Sequence, residues 1–97
     1  MDNQQIERIK NMLVHMVKSR ISQIEQKGEI CEQDQQWFAH QAKRMNFLAN
    51  AFGQENFDEY VQIVGLGAMI HNASVFTSWK KDAKDVITLL KWVQSNL

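Results

Sequence analysis

The sequence predicts an all-α fold, a compact antiparallel bundle of about four helices, and three observations carry that expectation. The 97 residues contain no proline, where average usage of about 5% would give about five, so no ring interrupts a helix from within. Apolar residues recur at intervals of three and four through four successive segments, which is the period of one helix face. No segment alternates apolar and polar residues for more than a few positions, as a half-buried strand would. Hydrophobic residues make up 44% and charged residues 23%, a balance that supports a packed core rather than disorder. A chain of this length is expected to form one domain spanning residues 1–97.

The first helix is expected from about Asn3 to about Lys27, with Ile6, Ile9, Leu13, Met16, Val17 and Ile24 on one face. Gly28 ends it, in the position where glycine reaches positive φ cheaply. The second helix should begin between Cys31 and Asp34 and end before Gly53. Trp37, Phe38, Ala42, Met45, Leu48, Ala49 and Phe52 then fall within an arc of roughly 140°. Asn56 and Glu59 have the spacing of a capping box opening the third helix, which should run to about Asn72.

Phe57, Tyr60, Val61, Val64 and Ala68 make one apolar arc of that third helix, and Ile63, Leu66 and Ile70 widen it past half the circumference. A helix apolar over that much of its surface is packed on several sides, so it is expected to sit deepest, with Val64 where the packing is densest. Gly65 and Gly67 inside it each cost roughly 1 kcal/mol against alanine. Two readings offset that cost: close approach of a neighbouring helix, or a smooth patch for a partner or hinge. Ser74, Thr77 or Ser78 should cap the fourth helix, with Trp79, Ala83, Val86, Ile87, Leu90, Val93 and Leu97 as its inner stripe. Short connections make successive helices antiparallel neighbours.

Several function classes find no residues to carry them. His15, His40 and His71 fall on three different helices without metal-ligand spacing, so no metal is expected, and His71 reads as a partly buried, hydrogen-bonded histidine. The G-L-G of residues 65–67 neither follows a strand nor opens a helix, so no phosphate loop and no cofactor are read. Cys31 near a helix N-terminus is a site where a thiol pKa can fall, or simply a loop thiol. Asp58 and Glu59 are adjacent and face different ways on a helix, which leaves no paired carboxylates for acid–base work. The expectation is a protein without catalysis of its own. A single cysteine points to a reducing compartment, and the N-terminus lacks a signal-peptide pattern. Tyr60 to Trp79 is free of formal charge but is broken by Gln62, His71, Asn72, Ser74, Thr77 and Ser78, so a buried helix is expected there rather than a membrane span. A cytoplasmic protein fits best.

Charge placement says more than charge total. Eleven basic and eleven acidic residues cancel, which gives the whole chain no pull on nucleic acid or anionic lipid. Residues 1–27 and 74–97 each carry a balance of +2, whereas residues 28–73 carry −4. Opposite signs within one bundle attract, and an acidic face also steers a basic partner. Arg20 projects into the same stripe as Met16, Val17 and Ile24; it either lays its stem over apolar surface or pairs with a buried acid of the central segment. Phe47 and Trp92 lie roughly opposite the apolar stripes of their helices. Outward aromatics are residue types that anchor interfaces, so Phe47 and Trp92, with the acidic group Asp58, Glu59 and Gln62, are the candidate partner-binding residues.

From Trp37 through Met45 into E-Y-V-Q-I-V-G-L-G-A-M-I, the chain resembles the small helical immunity proteins that protect bacteria from their own type VI secretion toxins, especially NAD-consuming or ADP-ribosylating ones. The resemblance covers the middle half of the chain and rests on size, helix succession and the segment from Leu66 to Asn72. It implies an inhibitor that binds one cognate toxin domain and blocks its active site. Two other readings compete. Lys80, Lys81, Lys84 and Lys91 beside Trp92 would suit a nucleic-acid-binding regulator, against which stand zero net charge and no helix-turn-helix spacing. A self-associating adaptor would pair through Phe47 or Trp92.

Overall fold

The computed structural model describes residues 3–53, 56–79 and 82–97. Four helices follow one another, α1 (Asn3–Lys27), α2 (Glu32–Phe52), α3 (Phe57–Ser78) and α4 (Ala83–Ser95), with no strand among the described residues. The molecule measures 43 × 19 × 17 Å, its long dimension set by α1, whose 25 residues extend about 37 Å. The bundle expected from the periodicity is the fold that forms.

Two helix ends are set by glycine. Gly28 (φ +73°) and Gly53 (φ +70°) take backbone angles that a Cβ disfavours, and each returns its amide to the helix before it, Gly28 to Ile24 O at 2.9 Å and Gly53 to Ala49 O at 3.2 Å. Gly28 to Glu32 between α1 and α2 border the same surface depression as Thr77, Ser78 and Trp79 at the end of α3 and Asp82 and Ala83 at the start of α4, so these two junctions lie at one end of the bundle. α2 and α3 run antiparallel in the closest packing of the molecule. An added Cβ on Gly67 would lie 3.2 Å from Met45 Cβ and 3.3 Å from Asn46 Oδ1, while Asn50 and Gly53 border one cavity with Phe57 and Tyr60.

The core gathers one stripe from each helix. Val17 and Ile24 of α1, Phe38 of α2, Ile63 and Ile70 of α3, and Val86, Leu90 and Val93 of α4 are fully buried. Each such side chain contributes roughly 1.5–3 kcal/mol of burial. Ile6, Leu13, Ile21, Ala42, Met45, Ala49, Leu66 and Ala73 complete the cluster, and no buried side-chain nitrogen or oxygen among the described residues lacks a partner.

α3 departs most from expectation. Its buried face is Ile63, Leu66, Gly67, Ile70, Ala73, Ser74 and Thr77, so the arc of Phe57, Val61, Val64 and Ala68 faces outward. Phe57 is 63% exposed and Val64 is 38% exposed rather than densely packed. A helix apolar on most sides carries too little contrast for periodicity to choose its inner face. The narrow approach at Gly67 chooses it instead. His71 turns outward with the same rotation and is exposed, not partly buried. Of the two glycines, Gly67 is the close-approach site, whereas Gly65 has open space around its missing Cβ.

The ends of α3 differ as well. Asn56 precedes the helix without a side-chain cap, because its Nδ2 turns back to donate to Phe52 O at 2.9 Å and closes α2 instead. The helix runs past Asn72 to Ser78. Ser74 and Thr77 are buried inside it, and Thr77 Oγ1 donates to Ser74 O at 2.7 Å, a local bond that lets a hydroxyl sit in a helix interior. Neither they nor Ser78 caps α4; Asp82 stands at that position. Trp79 lies in the connection, packed edge-on against Phe76 with ring centroids 5.2 Å apart, rather than in the inner stripe of α4.

Candidate partner-binding surface

One acidic side chain is fully buried where α1 turns into α2. Asp34, in the first turn of α2, takes Arg20 Nη1 on Oδ1 at 3.2 Å and Lys27 Nζ on Oδ2 at 2.8 Å. The Cys31 amide donates to Oδ2 at 3.0 Å, and Cys31 Sγ lies 3.1 Å from the same oxygen. Burial pushes the Asp34 carboxyl up, but the bonds from Lys27 and Cys31 outweigh it and hold the group below its ordinary range. The bond to Asp34 likewise raises Lys27. Arg20 also stacks over Trp37, 4.9 Å from the ring centroid. With Arg20 and Lys27 of α1 both bonded to a carboxylate in the first turn of α2, this cluster clamps α1 to α2. The buried pairing is thus the arrangement Arg20 adopts, with Asp34 as the acid.

The candidate binding residues do not form one site. Phe47 is 75% exposed and borders an open depression of about 550 Å³ with His40, Lys43, Arg44 and Leu48. Asp58 and Glu59 occupy the first turn of α3, Asp58 exposed and Glu59 half-buried. Gln62 borders a different depression, with Ile6, Lys10, Gly65, Leu66, Met69, Asn96 and Leu97. Trp92 is exposed on α4 and borders neither. Lys91 beside it pairs with Glu25 at 3.3 Å. Lys80 and Lys81 of the phosphate-contact reading lie outside the described residues.

A further surface was missed by the sequence reading. Phe57, Val61, Val64 and Val75 are large apolar side chains exposed along one side of α3, and Ala68 is exposed among them. The signal was present in their spacing of four and three, but it was assigned to the core. No group of three or more His, Cys, Asp or Glu is arranged to hold a metal among the described residues, and no described helix is long and apolar enough to cross a membrane. No protein-family model, curated protein or solved structure matches the chain.

Proposed function

We propose that the protein is a stoichiometric protein-binding module, acting in the cytoplasm as an immunity protein that neutralises a cognate antibacterial toxin, NAD-consuming or ADP-ribosylating. The observation that carries the binding reading is the amount of large apolar side chain left on outer faces: Met12, Phe47, Phe57, Val61, Val64, Val75, Trp79 and Trp92 are all exposed. Four of them, Phe57, Val61, Val64 and Val75, share one side of α3, and apolar surface gathered on one face marks interaction sites. Phe47 is the favoured anchor, because an exposed aromatic that borders one depression with Leu48 and with the polar His40, Lys43 and Arg44 has the mix of apolar and polar groups of an interface hot spot. The toxin part of the reading is supported by the resemblance of the middle of the chain.

The test is calorimetric titration against the protein encoded by the adjacent gene, with toxicity of that protein in the presence and absence of this one. Tight one-to-one binding and relief of toxicity are expected. A folded neighbour that neither binds nor harms cells would overturn the immunity reading.

A further inference from the structure

The outer face of α2 gathers positive charge around an exposed ring. His40, Lys43, Arg44 and Phe47 are all exposed, and with Leu48 they border one open depression. Phe47, at 75%, is the most exposed large apolar side chain of the described residues. We propose that this face docks an acidic surface of a partner protein, on which an apolar side chain seats against Phe47 and Leu48 and carboxylates pair with Lys43 and Arg44. The inference rests on the binding-module reading and adds the chemistry of the partner.

Uncompensated charge is the first argument. From Gln35 to Phe52 the chain holds no acidic residue, so neither base has a carboxylate three or four residues away, the separation at which a helix neutralises its own charges. No acid borders the depression either. Among the described residues, the bases that form ion pairs are Arg20, Lys27 and Lys91. Arg44 Nη1 donates to Gln41 Oε1 at 3.4 Å, an uncharged acceptor that offsets no charge. Residues 28–73 balance to −4, which by itself points to a basic partner. The acids of that segment lie before Gln35 and after Phe52 in the chain, so the sign around the ring is opposite to that of the segment.

The size and composition of the face are the second argument. Residues 40–48 extend about 12 Å along the helix axis, and two cations in that length fall short of the roughly six to ten phosphate contacts that carry binding to duplex DNA. A chain of zero net charge adds no long-range pull on a polyanion. An arginine beside an exposed aromatic is instead suited to a protein surface. The planar fork of Arg44 can take a carboxylate through two parallel bonds, and opposite charges around an apolar contact steer encounter and fix register.

The test follows the amide chemical shifts of the isotope-labelled full chain during titration with a helical peptide about four turns long, glutamates on one side and leucines on the other. Amides of residues 40–48 should shift, with a Kd of roughly 100 μM. Lys43→Glu with Arg44→Glu, Phe47→Ser, and a peptide with glutamine for glutamate should each weaken binding at least tenfold with helical circular dichroism kept, whereas Trp92→Ser should not. Shifts centred elsewhere, no shifts up to about 1 mM peptide, or equal binding of the glutamine peptide overturn the proposal. So does a thymidine oligonucleotide that moves the same amides at lower concentration, which assigns the face to nucleic acid. A sedimentation mass above 11.3 kDa that the double variant returns to monomer assigns it to a second copy and also overturns the proposal. The peptide needs no neighbouring protein. Glutamate-dependent binding at residues 40–48, beside a neighbour that neither binds nor harms cells, supports this inference and removes the immunity reading. A toxic neighbour neutralised equally by wild type and by the double variant does the reverse.

Discussion

Asp34 is the residue on which the α1–α2 junction turns. Its carboxylate is buried with a depressed pKa, so its contribution is fully present above its ordinary value near 3.8 and disappears as pH falls through the lowered one. Lys27, with a raised pKa, contributes below its ordinary 10.5 and loses that contribution as pH climbs through the raised value. Melts taken from neutral pH down to about pH 2 should therefore show an acid limb lying below pH 3.8 that is shallower in Asp34→Asn. An identical limb in the variant would mean that other carboxylates govern acid unfolding. Arg20→Ala should cost roughly 2–3 kcal/mol, because it leaves a buried carboxylate short of a partner; urea titration measures it. Phe47 behaves in the opposite way. It holds no core together, so Phe47→Ala should melt like wild type and weaken partner binding by roughly 2 kcal/mol or more. The position of Arg20 in an apolar stripe was legible from the sequence, but its partner was not, because Asp34 comes within reach only when the chain reverses at Gly28.

At the scale of the element, α3 separates two glycines of the same sequence motif. Gly65→Ala meets open space and should stabilise the protein by about 0.5–1 kcal/mol through helix propensity alone. Gly67→Ala places a methyl 3.2 Å from Met45 Cβ, an atom held close to its backbone, so overpacking should outweigh the propensity gain and lower the melting temperature. Thermal melts of the two variants compare them directly. Equal shifts of the same sign would show that α2 and α3 are not in close contact at Gly67. Val64→Asp belongs to the same contrast, since its side chain is partly solvated, and it should fold, whereas Ile70→Asp, fully buried, should not. The length of α3 was underestimated because Asn72, Ser74, Thr77 and Ser78 read as a break, although hydroxyls bonded one turn back are compatible with the end of a helix.

At the scale of the molecule, four stripes meet in one cluster of small and branched apolar side chains, and Phe38 is the largest that is fully buried. Phe38→Ala should cost about 3–5 kcal/mol by cavity formation, a large part of the 5–15 kcal/mol typical of a whole domain. Its melting temperature should fall by more than about 10 °C. A smaller drop would mean that α1 and α4 close into the space. Far-ultraviolet circular dichroism of the wild type should be that of helix alone, since no described residue is in a strand.

The sequence by itself determined the class of fold, the number of helices, the extents of α1 and α2 and the inner stripes of α1, α2 and α4. Those follow from local rules: a glycine where φ must be positive, no proline, and enough apolar contrast around three of the helices to point them inward. Only the tertiary structure decided the rotation and length of α3, the partner of Arg20 and the place of Trp79. A helix with apolar residues on nearly every side has no inward face until another backbone approaches it. In this protein that approach is α2 against Gly67, which turns Ile63, Leu66 and Ile70 inward and leaves Phe57, Val61, Val64 and Val75 outside.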